Sequence, residues 1–335
     1  MVTLHDVAAR AGVSPATVSR VLRGQTVVAP ETRARVMEAV EGLGYHPNIM
    51  AQGLRLGRGN QVALLISDIE QAVYASLTKH LQEALQAIGL ELLLFNLDHN
   101  ADRLKGLLER APSLRLAGVV IASSDPLDLK VLKPLIDQLA AQEIQVVAVG
   151  QNLSRQGIPS VFHDDAAAAR TAVAFLLERG YGPVAYLGRT TQSAIGRERF
   201  KGYRQALADA GLEADDSLVW SWESRYRYQA GYEAFMTAMG RGVQVRGVLG
   251  ASDELALGAM AAAADRGFRI PQDIAIVGFG GIEVSEHARP ALSTMSSDPR
   301  GVGAHVCEIL LAAREGRKVP MRLTLDRQLL VRQSA

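Results

Sequence analysis

One cysteine, Cys307, is the only thiol in this 335-residue chain, so no disulfide closes within it. Its setting in the helix-like run "GVGAHVCEILLAAREG", beside Val306, Ile309 and Leu310, suits core packing better than nucleophilic chemistry. No apolar run approaches the roughly 18 to 20 residues of a membrane span, and the chain does not open with a basic stretch, an apolar core and a cleavage site. The expected compartment is therefore the cytoplasm. The seven histidines, at 5, 46, 80, 99, 163, 287 and 305, show no metal-ligand spacing. There is no G-x-S-x-G elbow. Asp298 stands twenty residues beyond Gly278, as a dinucleotide site wants, but "IAIVGFGG" lacks the third glycine and runs soon into Pro290. No catalytic residue, metal or cofactor is expected.

What the chain does have is 48% apolar and 21% charged residues, enough for two or three domains with proper cores. Its net charge of +1 conceals an asymmetry. Residues 1 to 60 carry seven Arg, no Lys and four acids, a net +3, while the remainder is −2. A polyanion partner near the N-terminus fits that distribution.

The segment "LHDVAARAGVSPATVSRVLRG" reads as short helices. Leu4, Val7, Ala8 and Ala11 have helical spacing, with Thr3 as cap and Gly12 as stop. Ser14 and Pro15 are a favourable start for a second helix to Leu22, whose apolar face is Val18, Val21 and Leu22. A third helix runs from Pro30 to about Leu43, with Val36, Ala39, Val40 and Leu43 inward and Gly44 beyond it. Two helices around a glycine turn, closed by a third, have helix-turn-helix geometry. In that motif Pro15, Ala16, Thr17 and Arg20 face base edges. Arg20 suits a guanine, and Pro15 and Ala16 suit thymine methyls. Ser19, Thr17 and Arg23 suit phosphates, and Thr3 and Ser14 complete the set. The competing reading is a three-helix interaction module.

From residue 61 the period changes. The apolar runs "VALLIS", "ELLLFNL", "AGVVIAS", "VVAVG", "PVAYLG", "RGVLGAS" and "IAIVGFG" alternate with helical stretches. Such alternation predicts parallel sheets covered on both faces, and seven strands in two batches predict two α/β subdomains. The intervening "YHPNIMAQGLRLGRGNQ" reads as a linker that folds only in context.

These motifs together resemble the lactose-repressor (LacI/GalR) family of bacterial regulators. The resemblance runs from residue 2 to about 332 and rests on "VTLHDVAARAGVSPATVSRVLRG", "HPNIMAQGLR", "RERFKGYRQAL", "ASDELALGA" and "IPQDIAIVGF", in the family's order. It implies a helix-turn-helix domain over 1–46 and a hinge helix and linker over 47–60. It also implies a periplasmic-binding-protein-like core of two doubly wound parallel-sheet subdomains. The first is expected over 61–160 with a return segment at about 291–320, the second over 161–290 with about 321–332. Paired hinge helices from a homodimer would enter the minor groove of a near-palindromic operator. Leu54 would be the wedge, preceded by Asn48 and Ala51 and followed by Arg55. Gly53 costs about 1 kcal/mol of helicity relative to Ala, so the hinge is expected to be unfolded off DNA. No leucine heptad follows "LTLDRQLLVRQ", so a dimer is the expected assembly, with residues 68 to 87 and the helix of "ASDELALGA" as its surface.

The resemblance further implies a small effector between the subdomains. The expected contacts are Val73 and Tyr74 from the first, and Ser193, Arg197, Arg199, Tyr226, Ser252, Asp253 and Gly280 from the second. Arg199 also reads as a surface ion-pair partner, and Tyr74 and Tyr226 as core aromatics. Three positions depart from the pattern: Gly280 and Gly150 replace acids, and Ser252 replaces an Asn. Fewer carboxylates weaken the case for a neutral sugar. The arginines at 189, 197, 199, 225 and 227 suit a sugar acid or sugar phosphate instead. The expected function is a repressor of a carbohydrate or sugar-acid operon. The alternative is a regulator governed by a phosphoprotein.

Replacing Leu54 with Ala is expected to weaken specific DNA binding and reduce bending while leaving the core folded. A gel-shift bending assay giving unchanged affinity and angle would contradict the wedge.

Overall fold

The computed structural model describes residues 2–22, 28–45, 59–221 and 226–335, and the chain divides into two units, Met1–Gly59 and Asn60–Ala335. The first holds α1 (Leu4–Ala11), α2 (Pro15–Leu22) and α3 (Pro30–Gly42). Thr3 and Asp6 form a reciprocal capping box at the start of α1, and Gly12 closes it at φ +63°. Ser14 Oγ accepts from Thr17 N at 3.2 Å, which fixes the start of α2. Val7, Ala8, Ala11, Val18, Val21, Val36 and Ala39 form one buried cluster. Val40 and Leu43 pack against it partly buried.

The second unit is two α/β subdomains. In chain order the first contains β1 (Gln61–Ile66), α4 (Ala72–Ala87), β2 (Glu91–Asn96), α5 (Ala101–Arg110), β3 (Gly118–Ala122), α6 (Leu129–Ala141), β4 (Gln145–Val149) and β5 (Ser160–His163). The second contains α7 (Asp165–Glu178), β6 (Val184–Gly188), α8 (Ala194–Asp209), β7 (Val219–Ser221), α9 (Tyr228–Gly240), β8 (Gly247–Gly250), α10 (Asp253–Asp265), β9 (Ala275–Gly280), α11 (Glu283–His287) and β10 (Ser293–Ser296). The chain then returns to the first subdomain for α12 (Pro299–Arg314) and β11 (Arg322–Leu325), and ends in the second with β12 (Leu329–Leu330).

Among the described residues each sheet has six strands, ordered β11-β5-β4-β3-β1-β2 and β12-β10-β9-β8-β6-β7. Pairing is parallel except between β10 and β12. The central strands β3, β6, β8 and β9 are buried throughout, as continuous apolar runs require when helices cover both faces. By contrast β2 lies at a sheet edge, where Leu94 is exposed, although its "ELLLFNL" reads as a core strand.

The return segments divide differently from the expectation. Residues 293–296 extend the second sheet instead of the first, and 322–325 extend the first instead of the second. β5 carries the first sheet past residue 160. These strands are short, and β10 reads as polar because its buried groups are paired. Thr294 bonds Asp253, and Ser293 accepts from Arg332 N. Three crossovers thus join the subdomains, at about 163–165, 296–299 and 326–328.

Cys307 is buried in the first subdomain's core, and burial pushes its thiol up to about 11, as core packing requires. No described helix is long and apolar enough to cross a membrane, and no metal-holding cluster occurs among the described residues.

Helices α9 and α10 pack so closely that a Cβ at Gly258 would lie 1.9 Å from Tyr228 O. Replacing Gly258 with Ala must therefore part the two helices, at a cost of about 1–3 kcal/mol. A urea midpoint unchanged from wild type would contradict this contact.

Candidate functional site

The carboxyl ends of both sheets face one cleft, where open α/β sheets bind ligands. It encloses about 920 Å³ of non-atom space, its open mouth included. Four helices begin on its wall, bringing Val73 and Tyr74 of α4, Ile195 and Arg199 of α8, Glu254 of α10 and Pro299 of α12 to the lining. Tyr226, Ser252, Phe279 and Gly280 complete the second subdomain's side, and Gln71, Ser123 and Ser124 face them from the first.

Of the expected effector residues, Val73, Tyr74, Arg199, Tyr226, Ser252 and Gly280 line this cleft. The other three do not. Ser193 is fully buried as the cap of α8, its Oγ accepting from Gly196 N at 3.0 Å. That cap starts α8 at Ala194. Arg197 points to solvent and donates to Thr191 O at 2.7 Å. It lies two residues from Arg199, so helical geometry turns it away. Asp253 is buried, accepting from the backbone Ile282 N at 2.8 Å and from the Thr294 hydroxyl at 2.5 Å. Gly280 has φ +136°, a conformation that L side chains rarely adopt, which accounts for the missing acid there.

The arginines grouped on sequence have separate partners. Arg189 pairs with Asp125 across the cleft at 3.4 Å. Asp125 also bonds His99 Nδ1 at 2.8 Å. Burial alone would raise its carboxyl, but His99 and Arg189 together hold it below the usual value. Arg227 pairs with Asp68 at 3.3 Å and with Glu70. Two hydrogen bonds cross as well, one between backbones, Ala194 N to Ser124 O at 2.8 Å, and one to a side chain, Ala72 N to Glu254 Oε1 at 3.2 Å. Arg225 lies outside the described residues. Among the four described arginines only Arg199 reaches the cleft lining.

At the cleft floor Asp165 is buried between two guanidiniums. Arg327 Nε lies 2.7 Å and Arg199 Nε 3.5 Å from its Oδ1. Burial raises such a carboxyl, and the two positive charges more than offset this, holding it below its ordinary value. Both guanidiniums lie over the Phe279 ring, at 4.2 and 5.1 Å. Arg327 also donates to Ser296 O at 2.9 Å. His163 Nε2 accepts from Asp298 N at 3.2 Å. Sequence reading missed Arg327, Gln71 and Ser124, which sit in short connections without a periodic signal, and His163, which ends the four-residue strand β5. The one available clue was an arginine, "DRQ", between two strand-like runs.

In the first unit, α2 exposes Ala16 and Arg20 and half-buries Pro15, Thr17 and Ser19. The hydroxyls of Thr3 and Ser14 are engaged in caps. Arg23, Asn48, Ala51, Leu54 and Arg55 lie outside the described residues.

A helix-turn-helix unit attached to a two-sheet core with a ligand-sized cleft defines a DNA-binding regulator with an effector domain. Residues 3–48 match the family model described as bacterial regulatory proteins, lacI family, and residues 60–331 match that of periplasmic binding proteins and sugar binding domain of LacI family. Catabolite control protein A of Priestia megaterium is 33% identical over 310 residues, 92% of this chain and 91% of the relative. The transcriptional regulator CelR of Thermobifida fusca is 32% identical, covering 99% of this chain and 98% of the relative. A lac repressor dimer bound to operator and the anti-inducer ONPF superposes with a TM-score of 0.87 at 25% identity, over 99% of this chain and 98% of that one. A CelR–cellobiose complex gives 0.72 at 30% identity over all of both chains. The chain belongs to the LacI/GalR family of transcriptional regulators, which are not enzymes.

Burial and the charge of Arg327 push His163 from 6.5 down to about 4. Between those values the unfolded chain takes up a proton that the folded chain refuses, so stability is lost as the pH falls through this window. Asp253, raised by burial to about 6, acts oppositely between 3.8 and 6, because there the folded state holds the extra proton. His163→Gln removes the first effect alone. Relative to wild type, the variant is expected to gain on the order of 2 kcal/mol between pH 6.5 and 4.5 in urea unfolding. Parallel profiles would contradict a neutral His163.

Proposed function

We propose that this protein is a repressor that binds a near-palindromic operator as a homodimer and is governed by a small sugar-like effector in the cleft. The carrying observation is a set of buried polar atoms without hydrogen-bond partners in the protein. Gln71 Nε2 and Ser124 Oγ belong to one subdomain and Tyr226 OH to the other. Buried polar atoms left without a hydrogen bond cost about 1–3 kcal/mol each, and a ligand bridging the subdomains would satisfy these three together. The complex of CelR with cellobiose supports a carbohydrate or a sugar acid. The lac repressor dimer on operator supports dimeric DNA binding. The same atoms favour a metabolite over a phosphoprotein coregulator, which would dock outside the cleft.

On DNA, α2 would lie in the major groove with Arg20 at base edges and Pro15 and Ala16 against methyl groups, and residues 47–60 would form the central hinge helices. The α4 region and α10 would carry the dimer surface. Ligand that prefers one relative orientation of the subdomains would alter the spacing of the paired linkers and so DNA affinity. The work would be done in the cytoplasm, at the chromosome.

Two experiments test this reading. Replacing Arg20 with Ala is expected to cost about 1–3 kcal/mol and to relax preference at one base pair per half-site in a selection of bound sequences. Uniform loss over all sequences would move Arg20 to the phosphate contacts. A thermal-shift screen of the full chain against neutral sugars, sugar acids and sugar phosphates is expected to give a stabilising ligand, and Tyr226→Phe should weaken it about tenfold, the cost of one hydrogen bond. Stabilisation of both proteins alike would place the ligand elsewhere.

A further inference from the structure

Resting on the cleft as an effector site, we infer that Asp125 of the first subdomain is a positioning residue for Tyr226 of the second, acting through Arg189. Tyr226 is buried and lies two residues before α9, outside any helix or strand. Its hydroxyl abuts the first turn of α8, where a Cβ at Gly196 would lie 2.8 Å from the oxygen. The guanidinium of Arg189 lies over the ring, 5.7 Å from its centre, an arrangement that attracts because the ring face is electron-rich. Among the described residues no other guanidinium lies over this ring.

Arg189 follows the end of β6, and its side chain is only 7% exposed. Within its own subdomain Nη2 donates to Gln192 O at 2.6 Å, while Nε is buried without a hydrogen bond. Among the described residues the acid within ion-pair reach is Asp125, whose Oδ1 lies 3.4 Å from Nη1. A buried guanidinium deprived of its counter-charge is costly. The carboxylate of the opposite subdomain therefore decides where this group rests, and with it what covers Tyr226.

Asp125 is fixed within the first subdomain independently of Arg189. Its backbone N donates to Ser123 Oγ at 3.1 Å, and its backbone O accepts from Gln151 Nε2 at 2.8 Å. Its carboxylate accepts from His99 Nδ1 at 2.8 Å, and because an ionised carboxylate only accepts, that nitrogen carries the proton. His99 and Arg189 hold the carboxyl below its ordinary value, so it is charged at neutral pH. Loops beyond the carboxyl ends of β2, β3 and β4 thus aim one carboxylate across the cleft. Through Arg189 it reaches the ring of Tyr226, separately from the Asp165 junction at the floor, and a ligand meets that ring in a place set by the other subdomain.

The test is fluorine NMR of the full chain labelled with meta-fluorotyrosine, without ligand. The Tyr226 signal is the one lost in Tyr226→Phe. Asp125→Asn is expected to move that signal to the position it takes in Arg189→Met, with the other tyrosine signals staying in place, and Asp125→Glu to return it towards wild type. In Arg189→Met the further change Asp125→Asn should add nothing. The inference is overturned by a Tyr226 signal that Asp125→Asn leaves unmoved, that Asp125→Glu moves as far, or that Asp125→Asn moves again when Arg189 is already Met. If Asp125→Asn does not fold, His99→Ala, which frees the same carboxylate, takes its place, and an unmoved signal there overturns the inference instead. No ligand enters this measurement, so the positioning can fail while the effector site stands. A screen in which no sugar, acid or phosphate stabilises the chain would remove the effector reading, and this role of Asp125 with it.

Discussion

The buried carboxylate of Asp165 is the constraint on which the core depends. It lies where the chain first passes from one subdomain to the other, and it holds Arg327 from the last passage. Arg327 in turn reaches Ser296 O in the second passage, and Asp298 N donates to His163 beside the first. Three separate segments of chain are thereby fixed to each other at the cleft floor. Breaking a buried ion pair by removing one partner costs roughly 3–5 kcal/mol, so this junction resists change far more than a surface salt bridge does.

The same carboxylate reaches into the ligand site through Arg199. Ligand chemistry and subdomain geometry are therefore coupled through one residue. At the opposite edge of the cleft the links are of another kind. Arg189 with Asp125 and Arg227 with Asp68 are charge pairs between facing loops, supplemented by the backbone contact of Ala194 with Ser124. These pairs join facing loops of the two subdomains, whereas the crossover junction joins the segments of chain that connect them. A ligand bonding Gln71, Ser124, Arg199 and Tyr226 would add to the closing contacts, and its effect on the closed population is bounded by its preference for that state.

Much of the fold was legible because its signals are local and redundant. Thr3, Gly12, Ser14 and Pro15 mark helix ends by their own chemistry, and continuous runs such as "AIVGFG" declare buried parallel strands. What stayed hidden is contact made by short polar segments. "STMS" carries no hydrophobic pattern, yet as β10 it is buried because Asp253, Ser334 and the backbone of Arg332 satisfy it. Arg327 likewise looks like a surface residue until two crossovers converge on it. The sequence around the cleft is rich in arginine, but helix phase and cross-cleft pairing assign Arg197, Arg189 and Arg227 to other tasks. The guanidiniums that line the cleft are those of Arg199 and of Arg327, more than a hundred positions away.

The central claim is that a ligand in this cleft controls DNA affinity. The direct measurement is the fluorescence anisotropy of the full chain on an operator selected from random sequence, with and without the metabolite that stabilises it. The titration is repeated for Ile195→Trp, which fills the cleft. The wild type is predicted to change its operator affinity by about tenfold or more with ligand, a coupling of 1–3 kcal/mol being typical, and the filled variant to show no change. An equal ligand response in both proteins, or none in the wild type, would contradict the account.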